Sequence, residues 1–414
     1  MNLLKTSIYT SSSTIMTFIS GFIVTKVVAS KIGPEGMAYY GQFLNITSVL
    51  STLATGAISA GVVKYVSQYF DDKNKQQNVI NTSLIIVIVA SFLISIFTMS
   101  CSGVFSSWAF KGQNFWVVFF VYGLCIMAVS MNLISNSILN GLNKIRQLTL
   151  VSISSSFLGM LSILLSSYYL GLEGVLMSSS FTGIAMLLIN IWMLNKLGIT
   201  WKPNFKVVDR LIFMQLFKYS FMAIITGFVV PFMQIMVRNK ITNTVSLQGA
   251  GYWQATTRIS DYYLSFITSV LSVYYLPKLS ALKKKEDIKK EIISGYKLIL
   301  PIVGLLSFSI WLSRDLIIQV VFSKEFYGMK NLFTFQLIGD FLKIGSWLLA
   351  FVMIAKAMIY TYIVTEILFA INYVLISYFL VSKFGTIGAT YAFAINYLLY
   401  WVIMNYFVWK KIKD

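Results

Sequence analysis

Seven charged residues stand inside long apolar stretches of this chain: Lys26, Arg238, Arg258, Asp261, Asp340, Lys343 and Glu366. A charge held in hydrocarbon costs at least about 2.5–3.5 kcal/mol, so each is a candidate for substrate recognition or ion handling. Arg258 and Asp261 are three apart, as are Asp340 and Lys343, which puts each pair on one helix face. Such a pair either neutralises itself or offers a carboxylate whose partner is exchanged for a coupling cation or proton. Glu366 has no basic neighbour at helical spacing. It is therefore either protonated or paired across helices, and it ranks first as a lone proton carrier. Lys26 lies near the outer end of the first apolar stretch, where a lysine can snorkel to the interface. It also stands 212 residues before Arg238. Two matched cations facing one another across a cleft suit an anion such as a pyrophosphate, which arginine grips with two parallel hydrogen bonds. One neighbouring echo, Gly21-Phe22 with Gly227-Phe228, is offset by 206 and sets a different register. Tyr252-Trp253, Tyr262-Tyr263 and Tyr274-Tyr275 either stack on sugar rings or belong to the interfacial belt and the core.

Other chemistry is excluded by what the chain lacks. It has no histidine, which removes His-based nucleophilic catalysis, His metal ligation and a His proton relay. Any proton coupling must use carboxylates. Cys101 and Cys125 have no metal spacing and read as small apolar fillers. An acidic metal-binding pair of the glycosyltransferase kind is missing, so no cofactor is expected beyond a coupling proton or Na+.

The elements that carry these charges follow from composition. Of 414 residues, 57% are hydrophobic and 11% charged, against roughly 25% charged in soluble domains. A spanning helix needs about 20 apolar residues. Twelve stretches qualify: 7–30, 37–62, 79–101, 115–139, 147–170, 173–194, 215–237, 250–276, 295–312, 331–354, 357–381 and 386–409. Residues 314–322 are apolar but too short to span and are expected at a membrane surface. Barrel-type alternation is missing, which leaves helices. The fold expected is all-α and integral to the membrane. The first stretch reads as a retained helix rather than a cleaved leader.

The net charge of +19 would suggest nucleic acid in a soluble protein. Here no basic run interleaves with base-stacking aromatics, and basic residues collect on cytoplasmic loops. With the N-terminus placed in the cytoplasm, 22 basic residues fall on that side and 8 on the other. Both termini are therefore expected to be cytoplasmic. The halves also echo one another. Lys5-Thr6-Ser7 matches Lys218-Tyr219-Ser220, Tyr40-Gly41-Gln42 matches Tyr252-Trp253-Gln254, Lys64-Tyr65-Val66-Ser67 matches Lys278-Leu279-Ser280, and Gly171-Leu172-Glu173-Gly174 matches Gly385-Thr386-Ile387-Gly388. The offsets are 213, 212, 214 and 214. Two parallel six-helix repeats are expected, lobes 1–200 and 201–414, rocking about a central cavity in the transporter manner.

At this point a family resemblance can be placed on residues. Lys26 with Ile32-Gly33-Pro34, Val63-Lys64-Tyr65-Val66, Pro231 through Arg238-Asn239, Trp253-Gln254 and Ile259-Ser260-Asp261 are similar to the Wzx-type lipid-linked oligosaccharide flippases. So are Ser272-Val273-Tyr274, Leu276-Pro277, Trp311-Leu312, Arg314-Asp315, Gln336 through Asp340, Leu342-Lys343 and Ile354-Ala355-Lys356-Ala357. That group includes the O-antigen and lipid III flippases and sits in a superfamily with the multidrug/toxic-compound extruders. The resemblance runs nearly end to end. It implies twelve helices in two lobes around a cationic cavity, and a substrate of undecaprenyl-pyrophosphate carrying an oligosaccharide such as an O-antigen repeat unit. It further implies passage from the cytoplasmic to the periplasmic leaflet of the bacterial inner membrane by cation-coupled alternating access, with membrane lipids, a polysaccharide polymerase and a chain-length regulator as partners.

Lys26, Arg238, Arg258, Lys343, Lys356, Tyr252 and Trp253 are the candidates for substrate, and Asp261, Asp340 and Glu366 for ion coupling. On this placement Lys356 lies at the cytoplasmic end of the tenth span, where an anchor would also serve. Two alternatives remain. A multidrug exporter of organic cations would be expected to line its cavity with acids, and Lys26 with Arg238 argue against it. A polysaccharide polymerase would be expected to carry a large outer loop, whereas the outer segments near 102–114, 238–249 and 313–330 are short.

Overall fold

In hydrocarbon a backbone must satisfy its own hydrogen bonds, and every regular element among the described residues is helical. A computed structural model describes residues 3–110, 113–199, 204, 209–356 and 358–413. The basic residues Lys111, Lys202 and Lys206, and Ala357 of the matched motif, lie outside the described residues. Fourteen α-helices are seen there: α1 (Leu3–Ala54), α2 (Ser59–Gln68), α3 (Lys73–Ser100), α4 (Ser102–Phe110), α5 (Trp116–Gly141), α6 (Ile145–Lys196), α7 (Arg210–Thr244), α8 (Leu247–Val270), α9 (Leu276–Ala281), α10 (Lys285–Leu312), α11 (Arg314–Val321), α12 (Phe333–Ala355), α13 (Ile359–Phe384) and α14 (Ile387–Lys413).

Among the described residues nine helices are long and apolar enough to cross a membrane, where the sequence leads one to expect twelve. Two features of the helices bear on the difference. First, α1 and α6 are each 52 residues long, about 78 Å if straight, against about 30 Å of hydrocarbon. Both are broken by a glycine in a left-handed conformation, Gly33 (φ 64°, ψ −170°) and Gly171 (φ 56°, ψ −131°). Gly33 ends one arm and Pro34 opens the next, the expected order of glycine just past a helix and proline just inside one. Second, α8 is not among the nine. Its sequence carries Gln248, Gln254, Thr256, Thr257, Arg258 and Asp261 within 24 residues.

The turns repeat. Gly171 and Gly385, 214 residues apart, both take positive φ. Three residues later Gly174 and Gly388 each bring a helix backbone against a preceding carbonyl, that of Ser166 and of Leu380 respectively. Local caps set several helix starts: Asp72 accepts from Lys75 N at 3.0 Å, Asp209 from Leu211 N at 2.9 Å, and Ser246 from Gly249 N at 2.9 Å. The short α11 falls on the apolar stretch expected at a membrane surface.

Close contacts divide the chain into two compact units, Met1–Lys31 with Tyr39–Pro231, and Ile32–Ala38 with Phe232–Asp414. The first unit holds a branched-aliphatic core that includes Val62, Val66, Val79, Ile80, Ile134 and Ile138. Polar ties cross it: Tyr122 OH donates to Thr47 O (3.1 Å), Ser95 Oγ to Gly123 O (2.7 Å), and Asn132 Nδ2 to Gly183 O (2.7 Å). In the second unit Trp401 Nε1 donates to Tyr296 OH (2.9 Å), which itself donates to Gly345 O (3.0 Å) and joins α10, α12 and α14. A π-helical turn, Leu271–Tyr275, separates α8 from α9, and a 3-10 segment, Lys324–Leu332, precedes α12.

Candidate functional site

Six of the seven intramembrane charges lie in the second unit, three basic and three acidic: Arg238, Arg258, Lys343, Asp261, Asp340 and Glu366. Their formal charges cancel. That balance lets α7, α8, α12 and α13 hold ionisable groups together at tolerable cost.

Asp340 is fully buried (0% exposed) on α12. Ser260 Oγ and Tyr263 OH of α8 both donate to its Oδ2, at 2.6 and 2.8 Å, and Gln336 Nε2 donates to Oδ1 at 3.3 Å. Tyr263 OH also lies 3.3 Å from Ser307 Oγ of α10. The carboxylate thus sits where three helices meet, ringed by neutral oxygen and nitrogen groups. Its sequence neighbour Lys343 does not close on it, and no ion pair joins the two among the described residues. The ammonium lies instead over three rings, 4.8 Å from the centroid of Trp347, 5.7 Å from Tyr397 and 5.8 Å from Phe393. A cation is attracted to the negative face of each ring. From that seat the charge of Lys343 acts on all three acids, Asp340, Asp261 and Glu366. The i,i+3 spacing read as a possible self-neutralising pair therefore resolves into a caged cation beside a hydroxyl-bound carboxylate.

Arg258 is the foremost cation acting on Asp261, as the spacing of those two residues led one to expect. Arg258 is half-buried, and Asp261 is exposed. Glu366, half-buried on α13, accepts from Tyr400 OH of α14 at 2.7 Å. Its partner is across helices, one of the two alternatives the spacing left. Arg238 is 2% exposed. Its guanidinium donates to Gln254 Oε1 and lies 5.6 Å from the ring centroid of Trp253, and the charge of Arg258 reaches it.

The remaining candidates are placed differently. Trp253 is 2% exposed, so its face is used by Arg238 rather than left open for a sugar. Tyr252 OH donates to Glu325 O at 2.7 Å, and its ring packs on Phe326. Lys356 donates from Nζ to Leu279 O at 2.8 Å and also to Leu282 O. Its ammonium is thus committed to the carbonyl end of α9, the place where a helix dipole favours a cation. Lys26 is an exposed residue of the first unit.

Residue chemistry alone gave no role to Ser260, Ser307, Gln336, Gln254, Tyr400 or the three cage rings, and offered Tyr263 only as a stacking, belt or core aromatic. These bonds and ring contacts join residues 16 to 80 apart for Gln254, Ser260, Tyr263 and Tyr400. The sequence signals were the matched runs Trp253-Gln254, Ile259-Ser260-Asp261 and Gln336 to Lys343, the last of which places Gln336 one turn before Asp340.

A charged interior in an all-helical frame of this kind defines a class, the multi-pass membrane transporter. The fold is similar to that of solved transporters of two kinds. A multidrug resistance MATE family transporter of the MOP superfamily in an inward-facing conformation superposes with a TM-score of 0.79, over 96% of this chain and 94% of the other, at 15% identity. The lipid II flippase MurJ in an inward closed conformation superposes with a TM-score of 0.75, over 98% and 87%, at 16% identity. The family model described as polysaccharide biosynthesis protein matches residues 3–283. The lipid III flippases of Escherichia coli (strain K12) and Shigella flexneri are each 31% identical over 99% of this chain and 100% of their own. The chain belongs to the polysaccharide biosynthesis protein family.

Proposed function

We propose that this protein is a flippase that carries a polyprenyl-pyrophosphate-linked oligosaccharide, an O-antigen repeat unit or a similar glycan, from the cytoplasmic to the periplasmic leaflet of the inner membrane. The observation that carries the reading is the 31% identity to the lipid III flippase of Escherichia coli along the full length of both chains. The charged interior supports it. Arg238 and Arg258 are the cations for the diphosphate, and arginine suits that role through its planar fork of donors. Asp340, Asp261 and Glu366 are the carboxylates through which an ion couples to the cycle, with Lys343 as their shared countercharge.

The finer architecture belongs to the same proposal. The bends at Gly33 and Gly171 divide α1 and α6 into two crossings each, and α8 forms a polar crossing, which brings the number of spans to twelve. The matched turns at Gly171 and Gly385 support two six-helix repeats, lobes 1–200 and 201–414, with both termini in the cytoplasm. Lys356 is a structural anchor in this account, and Tyr252 and Trp253 position α8 and Arg238 rather than stack on sugar. The protein is a transporter rather than an enzyme.

A strain that assembles the lipid-linked repeat but lacks its own flippases tests this. Wild-type chain should restore surface polysaccharide, and Arg238→Ala at equal membrane abundance should not. Continued absence of surface glycan with every related repeat offered would overturn the flippase reading in favour of drug export by a protein of the same fold. Restoration by both proteins would remove Arg238 from the site.

A further inference from the structure

A groove of about 340 Å³ lies in the first unit between α3 and the first half of α7. Its walls are apolar and open: Val89 of α3 is 49% exposed and Phe217 of α7 is 62% exposed. The neighbouring residues Ile212 and Leu216 turn another side of α7 into the core of the unit, so the aromatic pair Phe213 and Phe217 is left to the groove. One polar group in the lining is unsatisfied. Thr82 is fully buried, and its Oγ1 has no hydrogen-bond partner. Its neighbour Ser83 donates to Val79 O at 2.7 Å, which is how a hydroxyl inside a helix usually satisfies itself. Thr82 does not do this, and a buried hydroxyl without a partner is destabilising. An acceptor entering from the groove would relieve it.

Each wall also carries a cation in line with the groove. On α7, Arg210, Phe213, Phe217 and Ser220 follow one another at helical spacing and form one stripe. On α3, Lys75 stands two turns before Thr82, on the stripe that continues through Ile86 and Val89. Both cations are exposed, and Lys75 has only Asp72 as an ion-pair partner, at 3.5 Å. The start of α7 is tied to the same end of α3. Asn81 Nδ2 donates to Asn204 O at 3.1 Å, and Asn204 N donates to Asn81 Oδ1 at 2.7 Å. The groove is therefore cationic at the helix starts and hydrocarbon beyond them. We propose that it binds one anionic glycerophospholipid. An acyl chain lies between α3 and α7, the Thr82 hydroxyl donates to an acyl ester carbonyl, and the phosphate sits at Arg210 and Lys75.

The hydroxyl decides between the two lipids whose chains would fit. In a polyprenyl diphosphate the hydrocarbon follows the phosphate directly, and no oxygen lies deeper than the headgroup. A glycerophospholipid carries ester carbonyls one layer below its phosphate, where Thr82 needs an acceptor. Thr82 is about 10 Å along α3 from Lys75. The polar layer of one leaflet is about 5–7 Å deep, and a lysine reaches back toward water over the rest. On the orientation proposed above this end is cytoplasmic, the side where anionic lipids attract basic segments. The site stands apart from the flippase reading, since a lipid can occupy it whether or not a glycan moves. Its consequence runs along α7, which continues as one helix from Arg210 past Arg238. A lipid lodged against its first turns bears on the seat of the helix that holds Arg238.

The test is native mass spectrometry of the purified, delipidated full-length chain, titrated with dioleoyl phosphatidylglycerol, dioleoyl phosphatidylcholine or undecaprenyl phosphate. No glycan is present, so the result is independent of flipping. Wild type should retain one phosphatidylglycerol saturably, about fivefold more tightly than phosphatidylcholine with the same chains, and more tightly than undecaprenyl phosphate. Arg210→Gln should erase the preference between the two phospholipids. Thr82→Val, close in shape but without the hydroxyl, should weaken both by about fivefold, the effect of one hydrogen bond. It should also melt no lower than wild type without lipid, because an unsatisfied buried hydroxyl is gone. Ala90→Leu, which fills the groove from α3, is the second variant and should weaken both phospholipids as well. Tighter retention of undecaprenyl phosphate would overturn the proposal and give the groove to a prenyl chain. Equal retention of the two phospholipids by wild type would overturn it, as would unchanged binding in both Thr82→Val and Ala90→Leu.

Discussion

Gly251 offers the most direct check on how α8 is held. A Cβ built there would stand 2.5 Å from the carbonyl carbon of Pro34 and 3.0 Å from its Cα, with the carbonyl oxygen closer still. Carbon atoms in good contact are about 3.5–4.0 Å apart, so Gly251→Ala demands that α8 or the Pro34 backbone move by about 1 Å. Backbone is what it meets, and no side chain can swing aside. Overpacking of this kind costs about 1–3 kcal/mol, and the upper part of that range applies. For a unit of this size that lowers the melting temperature by roughly 5–10 °C. The functional consequence is larger. Ser260 and Tyr263 of the same helix reach Asp340 at 2.6 and 2.8 Å, and a 1 Å displacement lengthens both beyond a real hydrogen bond. Gly304→Ala is the control. Its nearest neighbour is Phe341 at 3.7 Å, an ordinary contact, and alanine within helix α10 gains about 0.5–1 kcal/mol. Heating followed by fluorescence-detected size exclusion reads both, with surface polysaccharide scored in parallel. Gly251→Ala melting within about 2 °C of wild type, with transport intact, would refute the packing described for α8.

Three further outcomes are expected. Lys356→Met loses two charge-assisted bonds to the end of α9 and should destabilise by about 2 kcal/mol; surface glycan per folded molecule should be unchanged, since the ammonium is committed locally. Tyr400→Phe removes the donor to Glu366 and should cost about 1.5–3 kcal/mol, and a double-mutant cycle with Glu366→Gln should show that the two losses are not additive. On α11, outside the spans, the Asp315 carboxyl is held below its ordinary value by the Lys330 ammonium 2.8 Å away. A lowered carboxylate value means its stabilisation is present above the ordinary carboxylate range and is lost as pH falls through the lowered value. Melting curves of wild type and Asp315→Asn should differ slightly at neutral pH and converge in acid; a difference that persists there would contradict the pairing.

The sequence carried the helices well and their partners poorly, for a physical reason. Apolar length is a local property, so the stretches 79–101 and 115–139 reappear in α3 and α5, and the short run 314–322 in α11. The fourfold echo near one offset is local too, and at Gly171 and Gly385 it reappears as the same left-handed turn. What lay beyond reach was the rotation and depth of each helix relative to its neighbours. Asp340 and Lys343 share a face, and only the positions of Ser260, Tyr263, Phe393 and Tyr397 decide that they do not pair. Trp253 could be a stacking surface, belt or core from its sequence alone, and only Arg238, fifteen residues earlier and one helix away, lying 5.6 Å from its ring centroid, decides between them. Low hydropathy in α8 is a related case: its polar residues are the ones that meet Arg238 and Asp340, so the helix that carries the site has the weakest span signature.

A flippase of this kind moves a lipid-linked glycan directionally through an interior that contains Arg238. The most direct measurement uses the purified chain in proteoliposomes containing a fluorescent polyprenyl-pyrophosphate oligosaccharide, with an impermeant quencher reporting how much reaches the opposite leaflet under an imposed ion gradient. Wild type should move the lipid at a rate well above protein-free vesicles, and Arg238→Ala should approach the protein-free rate while remaining folded. Wild-type vesicles no faster than protein-free ones, across sodium and proton gradients of either direction, would contradict the central claim.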